Sequence, residues 1–252
     1  MAILRYPSGS VLCVADVHLE VTAPYRTELF RRFLLDTVIS KASALYILGD
    51  LFTAWPGDEM GEEVFFKPLL EAFEQVSQQN IPVYVLHGNH DFLMGETWRN
   101  LAKLRLIQDG HILKYAEQTW YLLHGDTLCQ ADVGYQSFRV MVRNQEWQKN
   151  FLSLPLKQRL AEIEAVRGRS QQEKALKADG IMDVSLDAVL RIWAEQPQLA
   201  GMIHGHTHRP ASHQYRINNR IYTRWVLTDW IRAPGYTVLT ENGRIFSLDI
   251  KS

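Results

Sequence analysis

The chain has 252 residues, 46% hydrophobic and 22% charged, at a formal net charge of −1. That suits one large domain with a core of its own and excludes the basic balance of a general nucleic-acid binder. Two cysteines, Cys13 and Cys129, are too few for a disulfide framework and form no zinc-type pair, so a reducing, cytosolic setting is expected. No apolar run reaches the ~18 residues of a membrane span, and the N-terminus lacks the basic-then-apolar order of a secretion signal.

The first half alternates strand and helix patterns. Val11 to Ala15 reads as the first core strand. Residues 25–40 carry Leu29, Phe30, Phe33, Leu34 and Val38 at helical spacing. A strand over Ala44–Leu48 precedes a loop through Pro56 and Gly57, a helix over about 62–79 and a strand over Val83–Leu86. Trp120–Leu123 is the next strand. Residues 135–196 then break the rhythm with helical patterns, and Gln198–Ile203, Arg224–Leu227 and Tyr236–Leu239 return to strands. The order predicts an α/β architecture, one domain over 1–252 with a helical insert, or lid, at 135–196. Nine Lys/Arg against four Asp/Glu over residues 139–177 leave that stretch at +5, which points either to an anionic partner or to an ordinary solvated helix face.

Five elements place Asp, Asn or His just after an apolar β-type run: Asp16 and His18, Asp50, Asn89 and His90, His124, and His206 and His208. Ligands of open α/β sheets gather outside the carboxyl ends of the strands, so these side chains should converge on one edge. In Asp16-Val17-His18 and His206-Thr207-His208, alternation along an extended chain would aim both outer residues into one cavity. Gly49, Gly88, Gly125 and Gly205 allow tight turns beside them. A mixed Asp, Asn and His set without Cys favours Mn, Fe or Zn over a structural zinc. One such histidine alone would more often be a packed or surface residue, as His87, His111, His204 and His213 are read here.

These ordered elements resemble the calcineurin-like metallophosphoesterases over roughly residues 11–240. The resemblance implies a β-sandwich flanked by helices and two metal ions. Asp16, His18, Asp50 and His208 would hold one, and Asp50, Asn89, His124 and His206 the other, with Asp50 as the bridge. Such a pair clamps a phosphate and makes hydroxide available near neutral pH for attack on phosphorus. His90 would be catalytic without being a ligand, and Asp91 would orient a histidine or cap the next helix.

Further residues narrow the resemblance. Gly49-Asp50-Leu51-Phe52 with Trp55, Gly57 and Asp58, His124-Gly125-Asp126-Thr127-Leu128-Cys129 followed by Asp132, Tyr135, Phe138 and Arg139, Leu154-Pro155-Leu156, Ile181-Met182-Asp183-Val184 and Ile203-His204-Gly205-His206-Thr207-His208-Arg209-Pro210 are similar to the UDP-2,3-diacylglucosamine pyrophosphohydrolases of lipid A biosynthesis. That family releases UMP and 2,3-diacylglucosamine 1-phosphate, uses Mn²⁺ and works peripherally at the cytoplasmic face of the bacterial inner membrane. The resemblance implies two Mn²⁺, substrate contacts from Asn89, His90, Asp132, Tyr135, Ser170, Lys174, Lys177 and His206, and a monomer that binds no nucleic acid. Trp147, Phe151, Leu152, Leu154, Leu156 and Leu160 would line an acyl site or else pack the insert onto the core, and Lys149, Lys157, Arg159, Arg167 and Arg169 would meet anionic headgroups. Two positions depart: His90 stands where that family has Arg, and Ile231 follows Trp230 where it has His. The competing expectations are another metallophosphoesterase, which His90 favours, and a binding module, which the intact ligand set disfavours.

Overall fold

A computed structural model describes residues 9–176 and 183–250, with the backbone alone for 171–176. Eleven strands and eight α-helices are described. β1 (Ser10–Val14) leads to α1 (Pro24–Arg32), which continues through a π-helical stretch, Phe33–Val38, into α2 (Ile39–Lys41). β2 (Ala42–Leu48), α3 (Lys67–Gln78), β3 (Val83–Leu86), α4 (Glu96–Leu101), β4 (Leu104–Leu106), β5 (His111–Tyr115) and β6 (Gln118–Leu122) follow. Four helices come next: α5 (Val133–Val142), α6 (Gln145–Leu152), α7 (Leu156–Leu176) and α8 (Leu186–Glu195). β7 (Gly201–His204), β8 (Ala211–Ile217), β9 (Arg220–Val226), β10 (Gly235–Leu239) and β11 (Ile245–Asp249) complete the order.

The strands form a six-stranded sheet, β11-β10-β1-β2-β3-β4, and a five-stranded sheet, β5-β6-β7-β9-β8. Side-chain alternation explains why the central strands read as continuous apolar runs. Leu12 and Val14 of β1, with Leu45 and Ile47 of β2, face the helices, whereas Val11, Cys13, Ala44, Tyr46 and Leu48 face the second sheet. Between the sheets these meet Leu113, Trp120, Leu122 and Ile203. On the outer face of the first sheet, α3 buries Leu69, Ala72, Phe73 and Val76, an i, i+3, i+4, i+7 stripe. On the outer face of the second, α8 buries Ala188, Val189 and Trp193 against Met202 and Tyr222. The architecture is therefore helix, sheet, sheet, helix: the α/β sandwich with flanking helices that the sequence predicts. Part of the predicted insert is a core layer, since α8 is packed into the second sheet and not raised above it.

β1, β2 and β3 run parallel, as do β6, β7 and β9. Their carboxyl ends lie along one edge, and the chain leaves that edge at Asp16, Asp50, Asn89, His124, His206 and Asp229. The first strand begins one residue earlier than the apolar pattern alone suggests, and the helix predicted from 62 begins at Lys67 after two 3₁₀ turns, Asp58–Glu62 and Val64–Phe66.

Candidate metal centre

The turns after the strands are sharp, and the ligand positions pay for it in backbone conformation. Asp16, His18, Asp50, His206 and His208 all have φ between 51° and 66°. This left-handed region is uncommon for residues with a Cβ and clusters at functional sites. The expectation of an extended Asp16-Val17-His18 and His206-Thr207-His208 is thus corrected: both segments are tight turns. The side chains still converge because main-chain hydrogen bonds tie one turn to the next. Asp16 N donates to Gly49 O (3.1 Å), His18 N to Asp50 O (3.0 Å), and Gly205 N to His124 O (2.9 Å).

All seven predicted ligands meet in one cluster, with Asp16, His18, Asp50 and His124 buried and Asn89, His206 and His208 partly exposed. Asp16, His18 and His208 bring ligand atoms within 4.8 Å of one another, and so do Asp16, Asp50 and His124. His18 Nε2 faces His208 Nε2 at 3.3 Å, and His208 Nε2 lies 3.5 Å from Asp16 Oδ1. On the other side, Asn89 Oδ1 lies 2.9 Å from His124 Nε2 and 2.8 Å from His206 Nδ1. Asp50 Oδ2 stands between the groups, 3.9 Å from His18 Nε2 and 3.6 Å from His124 Nε2. Asp16 Oδ1 is buried with no hydrogen-bond partner among the described residues. An orphaned carboxylate oxygen beside imidazole nitrogens that face one another is a donor set that fits divalent cations.

The surroundings fix which ring nitrogen is offered. His124 Nδ1 lies 2.9 Å from Leu48 O, which can only accept, so Nδ1 carries the proton and Nε2 faces the cluster. Burial drives the pKa of His18 down to about 3, against the pull of Asp50, so its ring is neutral, the form in which an imidazole can bind a cation. For His124 burial also opposes charging, but Asp50, Asp126 and Asp16 outweigh it and lift the value to about 9. Burial works against ionising Asp50, and His124, His90 and His18 overcome it, holding the carboxyl below its usual range. Gly88 is obligatory here for space: a Cβ on it would fall 2.0 Å from Asp50 Oδ1. Gly88→Ala should therefore displace the Asp50 carboxylate and weaken metal affinity by about 10–100-fold, the effect of disturbing a ligand's support. Calorimetric titration of the metal-free protein measures this, and unchanged affinity would show that the carboxylate has room to move.

His90 and Asp91 part company. His90 Nδ1 donates to Thr53 O (2.9 Å), which leaves Nε2 aimed at the cluster, 4.0 Å from Asp50 Oδ2. Asp91 is completely buried and its carboxylate accepts from main-chain N–H groups: Leu51 (2.7 Å), Phe52 (3.4 Å) and Gly88 (2.8 Å). It braces the Asp50 loop against the Asn89 loop, in place of the expected ring orientation or helix cap. Burial first, and the Asp50 charge second, push its pKa up to about 7.

Of the predicted substrate contacts, Tyr135 stands near the centre, its ring 5.9 Å from that of His206. Asp132 is the N-cap of α5, accepting from Tyr135 N at 3.1 Å. Ser170 is exposed on α7, Lys174 lies further along the same helix, and Lys177 falls outside the described residues, as do Ile181 and Met182. Arg159, expected at the surface to meet anions, is only 2% exposed.

Several supporting residues carry no motif. Asp109 Oδ1 accepts from His124 N (2.8 Å), and its other oxygen lies 3.6 Å from Arg139. Arg139 Nε in turn donates to Asp126 Oδ2 (2.7 Å), which also accepts from Tyr135 Oη (2.5 Å). Arg143 donates to Gly88 O (2.8 Å) beside the Phe92 ring. These bonds fasten α5 to the turns that hold His124 and Asn89. Asp126, Tyr135 and Arg139 had a sequence signal, in the run that begins at His124-Gly125-Asp126; Asp109 and Arg143 had none.

Strand-end carboxylates and imidazoles on a two-sheet scaffold define a metal-dependent phosphoesterase. The sequence profile of the calcineurin-like phosphoesterases matches residues 9–210. The UDP-2,3-diacylglucosamine hydrolase of Serratia proteamaculans is 41% identical over 221 residues, covering 88% of this chain and 91% of that one. Its namesake from Chromohalobacter salexigens is 38% identical over 234 residues, covering 92% and 94%. A dimetal phosphatase from Danio rerio shares the fold, with a TM-score of 0.51 at 15% identity over 97% of this chain and 99% of that one. The chain belongs to the calcineurin-like phosphoesterases and, within them, to the UDP-2,3-diacylglucosamine hydrolase family.

Proposed function

We propose that this protein hydrolyses the pyrophosphate bond of UDP-2,3-diacylglucosamine, releasing UMP and 2,3-diacylglucosamine 1-phosphate, with two Mn²⁺ held by Asp16, His18, Asp50, Asn89, His124, His206 and His208. The observation that carries the reading is the clustered, largely buried donor set in a chain about 40% identical to hydrolases of that name. When bound, the cations offset phosphate charge and acidify a water. Asp50, whose Oδ2 lies 3.9 Å from His18 Nε2 and 3.6 Å from His124 Nε2, would serve both ions in this reading. His90, with its Nδ1 proton held by Thr53 O, presents Nε2 towards the reacting group, where a protonated ring donates to the leaving phosphate oxygen. Tyr135, whose ring lies 5.9 Å from that of His206, would meet the substrate in this reading, and the helices α5–α7 would cover it. No helix among the described residues is long and apolar enough to cross a membrane. The lipid is reached in this reading by peripheral association with the cytoplasmic face of the inner membrane.

The test is UMP release from UDP-2,3-diacylglucosamine by purified, Mn²⁺-loaded protein, with the metal-free protein inactive and activity returning on reloading. Absence of UMP from the loaded protein would sink the reading. A second reading, hydrolysis of another phosphodiester or nucleotide, is favoured by His90, whose titratable ring replaces the permanent fork of an arginine. Strong turnover of bis(p-nitrophenyl) phosphate without lipid hydrolysis would decide for it.

A further inference from the structure

We propose that Arg159 and Glu59 form a latch that sets the position of α6 and α7 beside the metal cleft, and thereby the affinity for a large substrate, without either residue touching the reacting groups. This rests on the functional reading above and names what fixes its specificity.

Arg159 is a charged residue on the first turn of α7, yet it is buried. Every nitrogen of its guanidinium has a partner. Nε donates to Leu154 O (2.9 Å), just before α7 begins. Nη1 donates to Pro56 O (2.6 Å) and lies 3.3 Å from Glu59 Oε2, and Nη2 donates to Glu59 Oε1 at 2.5 Å. The pairing is the two-pronged fork that gives arginine–carboxylate pairs their orientation as well as their strength. One side chain thus bonds both to its own helix start and to the loop after β2, 100 residues away in sequence. Gly57 is shaped for it. At φ 148° its backbone favours glycine, and a Cβ there would lie 2.2 Å from Arg159 Nη1 and 3.2 Å from Leu152 Cδ2 of α6. Glu59 keeps its carboxyl below the usual range chiefly through the Arg159 hydrogen bond.

The anchored loop is the one that leaves Asp50. Along it Thr53 O receives the His90 ring, Trp55 N donates to His90 O (3.2 Å), and Asp58 accepts from Trp55 Nε1 (3.0 Å), Gly95 N (2.8 Å) and Trp98 N (2.9 Å). That side of the latch is consequently rigid. On the other side, Arg139 and Arg143 fasten α5 to the turns of the candidate metal centre, α6 and α7 follow it through short connections, and among the described residues the Arg159 bonds are the side-chain hydrogen bonds that join α7 to the Asp50 loop. Between the two fastenings lies α6, with Trp147 stacked on Phe151 (4.9 Å between centroids) and turned towards Phe92 (6.4 Å), the residue after Asp91. A helix held at both ends keeps this aromatic wall at one distance from the cleft. Held at one end, it samples many, and a substrate that spans metals and wall loses pre-organised contact. A small diester that needs only the metals does not.

The test uses the full-length, metal-loaded protein and its Glu59→Ala, Glu59→Asp and Arg159→Lys variants. KM and kcat are measured for UDP-2,3-diacylglucosamine and for bis(p-nitrophenyl) phosphate, and amide hydrogen exchange is followed in the free protein. We expect Glu59→Ala and Arg159→Lys to raise KM for the lipid nucleotide about tenfold with kcat within about twofold, to leave diester turnover unchanged, and to lose protection over residues 154–165. Glu59→Asp, which keeps the charge, should recover most of the affinity. Unchanged KM and exchange in Glu59→Ala would overturn the latch, and equal losses on both substrates would overturn its link to specificity. If the wild type cleaves the diester but not the lipid nucleotide, the functional reading fails and the specificity claim with it, while the exchange data still decide whether the pair holds the helix.

Discussion

Asp50→Asn is expected to lower kcat/KM about a thousandfold, roughly 4 kcal/mol of transition-state stabilisation, on lipid and small-diester substrates alike. Asn preserves the shape and the Oδ1 acceptor that receives His90 N at 2.8 Å. It replaces Oδ2, the atom shared between His18 Nε2 and His124 Nε2, by a neutral N–H₂ that donates. Two cations cannot then share it, so elemental analysis of the purified variant should find no more than one metal per chain. Circular dichroism should be unchanged, because a buried carboxylate has been exchanged for an amide of equal size. A variant that keeps two metals and wild-type turnover would remove Asp50 from the bridge.

The second large effect falls on stability. Asp91→Ala should destabilise the fold by about 3–5 kcal/mol, because it strands the buried N–H groups of Leu51 and Gly88, at about 1–3 kcal/mol for each unpaired donor, and weakens that of Phe52. For a chain of this size that is a fall in Tm of roughly 6–20 °C. Metal affinity should drop with it, since the brace joins the Asp50 turn to the Asn89 turn. Thermal unfolding of the metal-free protein isolates the structural part. Were Asp91 instead a histidine orienter, activity would fall with Tm unmoved, and that outcome would remove the brace.

How much of this could be read in advance depended on where each signal lay. The central strands were legible because both their faces are buried, so β1, β2 and β3 appear as apolar runs. The edge strands β8 and β11 were not, because half of their side chains face solvent and their identity as strands comes from pairing with β9 and β10. The β8–β9 hairpin did carry a signal, Asn218-Asn219, two residues suited to the positive φ they adopt. The β5–β6 hairpin turns at Ala116 and Glu117, which share that backbone and announce nothing. At the centre the ligands were legible because each sits behind an apolar strand in a spaced motif. Their left-handed backbones were not, since Asp and His at these positions look like any others. Arg159 read as a surface cation among its basic neighbours, and only the partner loop, distant in sequence, shows that it is buried.

By itself, the sequence determined the chemistry: which side chains follow which strands, that no cysteine takes part, and that the donors suit divalent cations. The tertiary structure decided how those donors are divided and held. Asp50 stands between two groups because the parallel strands bring its turn between those of Asp16 and Asn89. Asp91 is a brace because two of the N–H groups it meets, those of Leu51 and Phe52, come from a different strand end than its own. Arg159 faces Glu59 because α7 returns over the Asp50 loop. Each of these is a contact between residues far apart in the chain, fixed by packing and by the demand that buried polar groups find partners, and no local pattern encodes it.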